Sequence, residues 1–348
     1  MSSPNVFGAI KDTLCVDGVL NHEVSFTMMT KHSPHDSFAL SVPTEHFVGD
    51  TLKRMKQTSS IEFKPAVAPP LGSGSYGVIR IYDVHMYHGF NGQVAVKLMS
   101  DPGETKLSNV CTNPCKLIPI LTHVDWYFPR PSGEIVYVAI MPIASGDLTV
   151  FKKHNLSDIG LGIMQRLKDR IVIFQSIREQ LLCLSLQEQY YLDVKAENIL
   201  FRADSNGKVR FYLGDIGSVV PNAEGDILAT YPPFIHGLDD VAIKDGFVST
   251  VKYDNDALVN MVSYTAGIFL MELLDITSVS DLQWNAIQLR SNTDYISKVV
   301  VAIQETRDLY GDKLAEYVSI LIRRSGLADT YELNTLLWTL ELPLDQVY

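Results

Sequence analysis

The sequence predicts an α+β chain, strand-rich up to about residue 143 and helical beyond it, with one β-hairpin set into the helical part. Three observations predict it. Before Ile143, β-branched and aromatic residues gather in short runs: Val78, Ile79, Ile81 and Tyr82, then Gln93 to Leu98, then Glu134 to Ile143. From Ser157 to Gln189, Met164, Leu167, Ile171, Phe174, Ile177, Leu181 and Leu184 recur at spacings of three and four, giving one apolar stripe with Arg166, Lys168, Arg178 and Glu179 largely off it. Between the helical stretches, Ile199 to Arg202 and Val209 to Leu213 flank the polar turn Asp204-Ser205-Asn206-Gly207.

A length of 348 residues leaves room for one large domain or a two-lobed one. The hydrophobic fraction of 46% and charged fraction of 20% belong to an ordinary globular protein. The net charge of -11 argues against nucleic-acid binding, which needs basic patches, and favours partners with basic segments. The N-terminus lacks the basic start and apolar run of a signal peptide. Ala257 to Met271 is apolar and free of charge, but it is too short to span a membrane and reads as a buried helix. Cys15, Cys111, Cys115 and Cys183 follow no disulfide framework, so free thiols in an intracellular, reducing compartment (cytoplasm or nucleus) are expected. Cys111 and Cys115 lack the second pair that structural zinc would need.

Residues 1–60 carry no strong periodicity and read as an extension packed on the main body, with His22, His32, His35 and His46 scattered over its surface. Thr51 to Ser60, bearing Lys53, Arg54 and Lys56, reads as a solvated helix or linker, with a docking segment as the alternative. Leu71 to Ile79 contains Gly72-x-Gly74-x-x-Gly77. That spacing also opens dinucleotide-binding helices, but the residues after Gly77 form a strand pattern, so a glycine hairpin between strands is expected. Backbone amides in such a hairpin can close over phosphates because no side chain stands in the way. The next strand carries Lys97 in Val-Ala-Val-Lys.

After the stripe helix comes Tyr191-Leu-Asp-Val-Lys-Ala-Glu-Asn198, then the hairpin, then Gly214-Asp215-Ile216-Gly217. A hairpin brings its ends together, so Asp193, Lys195 and Asn198 are expected beside Asp215. Oxygen ligands for magnesium, a cation near a transferred group and a carboxylate to orient a hydroxyl are what phosphoryl transfer from a metal-bound nucleotide requires. Val262 to Leu274, Asp312 to Arg323 and Thr330 to Leu342 read as further helices.

With Asp193-x-Lys195-x-x-Asn198 and Asp215-Ile-Gly, after the glycine hairpin and Lys97, the chain resembles the eukaryotic-type serine/threonine protein kinases over roughly residues 65–345. It looks like the divergent members encoded by large DNA viruses. The resemblance implies a bilobal kinase-like fold, with residues 65–143 as a small β-rich N-lobe and 144–348 as a larger helical C-lobe. It implies Mg2+ on Asn198 and Asp215, with Asp193 and Lys195 catalytic. It further implies ATP contacts at Gly72, Gly74, Tyr76, Gly77, Ile79, Ala95, Lys97, Met141, Ile143 and Asp147, with protein substrates as partners. Glu104 is the one glutamate between Lys97 and Asp125, and the resemblance makes it the helix-borne partner of Lys97. Asp147 also reads as a helix N-cap ahead of Leu148. By the same resemblance residues 218–234 form an activation segment, in which Thr230 meets the catalytic aspartate and lysine.

Several family positions differ. Tyr191 and Leu192 stand where the family has His-Arg, Ile216 where it has phenylalanine, and Phe234 where it has an anchoring glutamate. Loss of that arginine removes the receptor for an activation-loop phosphate, so activity independent of such phosphorylation is expected. The groups facing nucleotide, metal and substrate are kept, which favours an active enzyme over a pseudokinase scaffold. A small-molecule phosphotransferase shares Asp-x-x-x-x-Asn but generally lacks the three-glycine loop and a lysine placed as Lys195 is.

Overall fold

The computed structural model describes residues 5–29, 36–48, 53–74, 77–87, 89–155, 163–203, 208–221, 225–228, 243–244, 247–248, 250–253, 255–279 and 292–322. The chain divides into two compact units, Met1–Ala144 and Ser145–Tyr348.

In the first unit, helix α1 (Val6–Leu14) leads into the small hairpin β1 (Cys15–Val16) and β2 (Val19–Leu20). The main sheet contains β3 (Ser25–Met28), β4 (Phe38–Val48), β5 (Lys53–Pro65), β6 (Gly72–Gly74), β7 (Gly77–Met86), β8 (Asn91–Met99), β9 (Leu121–Pro129) and β10 (Ile135–Met141). Seven strands run in the order β3-β4-β5-β7-β8-β10-β9, every neighbour antiparallel, with β6 paired to β7. Phe26 on β3 meets Phe128 on β9 edge to face at 5.4 Å, so the first and last strands approach and the sheet is a nearly closed barrel.

Alternation explains which way each strand faces. Phe38, Leu40 and Val42 are buried on β4, as are Ile61 and Phe63 on β5, Tyr82 and Val84 on β7, and Val94 and Val96 on β8. Phe38 stacks on Phe63 with centroids 4.5 Å apart. Val6, Phe7, Ile10 and Leu14, at helical spacing, put one face of α1 into the same core. Full burial of each such side chain is worth about 1.5–3 kcal/mol.

The second unit carries α2 (Leu148–Asn155), α3 (Ile163–Ser185), α4 (Asn255–Leu273), α5 (Asn292–Tyr310) and α6 (Asp312–Ile322). Its strands include β11 (Gly146–Asp147), β12 (Gln189–Tyr191), β13 (Ile199–Ala203), β14 (Val209–Leu213) and β15 (Val219–Pro221). Hairpin β13–β14 is extended by β11, and β12 pairs with β15. Gly225–Leu228 pairs with Thr250–Tyr253, and Ile243–Lys244 with Phe247–Val248. Leu167, Ile171, Phe174, Ile177, Leu181 and Leu184 are buried, as the stripe predicts. Arg178, placed off that stripe by its charge, is buried too. Residues 261–271 of α4 are all buried and Glu272 after them is half-buried; a Cβ on Gly267 would lie 3.0 Å from that of Leu321, so glycine lets α4 and α6 approach closely.

The expected kinase-like bilobal fold is therefore corrected. The molecule is mostly antiparallel β-sheet, with a nearly closed seven-strand barrel-like sheet and six α-helices among the described residues. The physical reason lies partly in the residues up to 60, read as extension and linker, which supply β3, β4 and the first part of β5 and curl the sheet round. The helix expected after Lys97 is replaced by a 3-10 turn, Pro102–Lys106. Beyond it the backbone is folded back by asparagine side chains. Asn109 Oδ1 accepts from Ile120 N–H at 2.5 Å and its Nδ2 donates to Ile118 O, while Asn113 is bonded to both the N–H and the carbonyl of Leu117.

The free-thiol expectation is corrected as well. Cys15 and Cys111 form a disulfide across 96 residues, and no cysteine among the described residues is free. No helix among the described residues is long and apolar enough to cross a membrane.

Candidate active site

The second unit gathers four of the expected residues. β13 and β14 pair in register from Ile199↔Leu213 to Ala203↔Val209, so the residues entering and leaving the hairpin are neighbours. The turn itself, 204–207, lies outside the described residues. A 3-10 turn, Ala196–Asn198, precedes β13, and another, Ile216–Ser218, follows Asp215.

Asp193 is buried, at 7% exposure, and its carboxylate is gripped by two donors. Lys195 Nζ donates to Oδ1 at 3.0 Å and to Oδ2 at 2.9 Å. Asn198 Nδ2 donates to Oδ2 at 2.7 Å and to the Asp193 carbonyl at 2.9 Å. Charge-assisted bonds of this kind fix the orientation of a carboxylate.

The two ends of the hairpin are joined at Gly214. Its N–H donates to Asn198 O at 2.7 Å, and its carbonyl accepts from the Tyr191 hydroxyl at 2.7 Å. A Cβ there would lie 2.9 Å from Leu200 Cγ and 3.0 Å from Asn198 O, so only glycine permits this approach. Asp215 follows in the left-handed region, φ 44° and ψ 53°, uncommon for a residue with a side chain and costing about 1–3 kcal/mol that the surrounding structure must offset. Tyr191 is buried; burial first, then the charges of Asp193 and Asp215, push its phenol well above the ordinary range, with the Asn198 amide pulling weakly the other way. It stays protonated and remains a donor at Gly214.

Sequence reasoning registered Tyr191 only as a departure from the kinase pattern and overlooked Gly214. An aromatic hydroxyl two residues ahead of Asp193, inside an apolar run, was the available signal.

Asp147 sits on β11, paired with Leu200 of the hairpin. Its Oδ1 accepts from Val150 N–H at 3.0 Å and from the Thr149 hydroxyl, so it caps α2 as the N-cap reading expects.

In the first unit, β6, β7, β8 and β10 place Gly72, Ile79, Lys97 and Ala139 in one register row. Lys97 is buried at 7% exposure, and Ala95 and Met141, also buried, face one another across β8 and β10. Gly77 has φ 155°, and a Cβ there would stand 2.3 Å from Leu98 O, whereas one on Gly72 would meet nothing within 4 Å. Gly74 pairs with Gly77. Ile143 follows β10 and is half-buried. Glu104 lies in the 3-10 turn rather than on a helix. Tyr76, the Glu104 side chain, Thr230 and Phe234 fall outside what is described.

Asn198 and Asp215, held together through Gly214, are oxygen donors of the kind Mg2+ takes from a protein when waters and phosphates complete its shell. No group of three His, Cys, Asp or Glu residues suited to a metal occurs among the described residues. Compared with known proteins, the chain matches no family model and no curated protein.

Proposed function

We propose that this chain is an ATP-dependent serine/threonine protein kinase, transferring the γ-phosphate to protein hydroxyls with Mg2+. The observation carrying this reading is the cluster of Asp193, Lys195 and Asn198 bound to one another and tied through Gly214 to Asp215. Asp193 accepts the hydrogen bond of the substrate hydroxyl and aims its oxygen at the phosphoryl group. Lys195 moves from neutralising Asp193 to neutralising charge on the transferred group. Asn198 and Asp215 would hold Mg2+, which supplies positive charge to the phosphates when bound. In the first unit, taken by itself, buried Lys97 and the glycine hairpin are groups of the kind that can meet a phosphate. A loose transition state makes positioning and charge the main contributions, with base assistance adding about 100- to 10,000-fold.

The test offers γ-labelled ATP and magnesium with either a basic protein or a panel of small alcohols. Label on protein serine and threonine is expected. Label on the alcohols alone would contradict the protein-kinase reading, and ATP binding without any transfer would point to a scaffold.

A further inference from the structure

The turn Ala196–Asn198 begins at Lys195, whose side chain makes no capping hydrogen bond to it. Its first amide is met from elsewhere in the fold: Glu272 Oε2 accepts from Ala196 N–H at 3.3 Å, from the last turn of α4 and 76 residues away. A carboxylate on a backbone N–H is a charge-assisted acceptor. The end of α4 is itself fixed. Lys152 Nζ donates to Glu272 O at 2.7 Å and pairs with Asp275 Oδ1 at 2.7 Å. Arg170, buried on α3, pairs with Asp275 Oδ2, and Arg170 Nη1 and the Tyr310 hydroxyl both donate to Leu274 O, at 3.2 and 2.8 Å. Helices α2, α3 and α5 thus brace the segment that presents Glu272.

The peptide that Glu272 grips joins Lys195 to Ala196. On one side of it Lys195 reaches Asp193, and two residues on the other side Asn198 does the same. We infer that Glu272 is a positioning residue for the transfer centre, an inference resting on the proposed kinase function. Its bond to Ala196 N–H holds the turn from which Lys195 and Asn198 are aimed at Asp193, and so sets the donor set that Asn198 and Asp215 offer a divalent cation.

The test uses the full chain with Glu272→Ala and Glu272→Gln, the latter keeping an acceptor oxygen. Readouts are exchange of the Ala196 amide, Mn2+ affinity by electron paramagnetic resonance, transfer kinetics and thermal melting. Glu272→Ala is expected to exchange faster at Ala196, to bind Mn2+ about 10-fold more weakly, and to lose up to about 100-fold in kcat with KM for protein little changed. Its melting should stay close to wild type, and Glu272→Gln should recover most of the loss. Faster exchange at Ala196 with Mn2+ affinity unchanged overturns the inference, as does a glutamine variant no better than alanine. A wild-type chain that binds Mn2+ without transferring phosphate brings down the kinase reading alone, and the Mn2+ affinities of the variants then decide the role of Glu272. A wild-type chain that binds no Mn2+ overturns both.

Discussion

The Tyr191 hydroxyl donates a 2.7 Å hydrogen bond to the carbonyl of Gly214, the residue that immediately precedes Asp215. Because Tyr191 also lies two residues ahead of Asp193, this bond links the strand entering the turn Ala196–Asn198 to the strand leaving the hairpin. Tyr191→Phe keeps the ring and deletes the donor, leaving a buried carbonyl short of a partner. A loss of about 1–3 kcal/mol in urea unfolding is expected, together with weaker Mn2+ binding as Asp215 loses its support. Wild-type stability and metal affinity in this variant would show that Gly214 does not depend on the bond.

The glycines of the hairpin Gly72 to Gly77 should not be equivalent. Gly77→Ala places a methyl group against Leu98 O, so the strands must part and the melting temperature should fall. Gly72→Ala meets no atom within 4 Å, so the fold should be unaffected and any loss should appear in ATP affinity. Paired melting and ATP-binding measurements check both outcomes.

How much of this was legible in the sequence depends on how local each feature is. The β13–β14 hairpin declares itself through two alternating runs about a polar turn, and α3 through its stripe, since both patterns lie within a single element. Asp193, Lys195, Asn198 and Asp215 were legible for the same reason: the hairpin alone brings them together. The barrel was not legible. In β4 and β5 apolar alternation is confined to Phe38, Leu40 and Val42 and to Ile61 and Phe63, while Ser41, Pro43, Thr44 and Glu45 pair in register with Ser60, Thr58, Gln57 and Lys56, so only part of each strand is marked and the pairing is set by neighbours distant in sequence. The segment beyond the turn that replaces the helix after Lys97 is folded by asparagine side chains bonding to backbone as far as eleven residues away. Cysteine pairing likewise is not readable from spacing.

The Cys15–Cys111 disulfide closes a long loop between the end of α1 and the segment ahead of β9. Cys15→Ser should destabilise the first unit by about 2–5 kcal/mol through the freed unfolded chain, read as a lower melting temperature. A wild-type chain equally stable with and without reductant would contradict this.

Acid should loosen the contact between α5 and the turn after α4. Burial pushes the Glu305 carboxyl up, but bonds from the hydroxyls and backbone amides of Ser278 and Thr277 outweigh it and hold the group at about 2, below its ordinary 4.5. The folded value is depressed, so the stabilisation is complete above about 4.5 and is lost as pH falls through about 2. Glu305→Gln should therefore melt below wild type near neutrality, with the gap closing across that window. A gap independent of pH between those values would contradict the assignment.

The most direct measurement compares the native chain with Asp215→Ala and Asp193→Asn for transfer of labelled γ-phosphate from magnesium ATP to a basic protein. The account predicts clear transfer by the native chain, none by Asp215→Ala and at most a trace by Asp193→Asn, with all three folded by circular dichroism. Normal transfer by either variant, or none by a native chain that binds magnesium ATP, would contradict it.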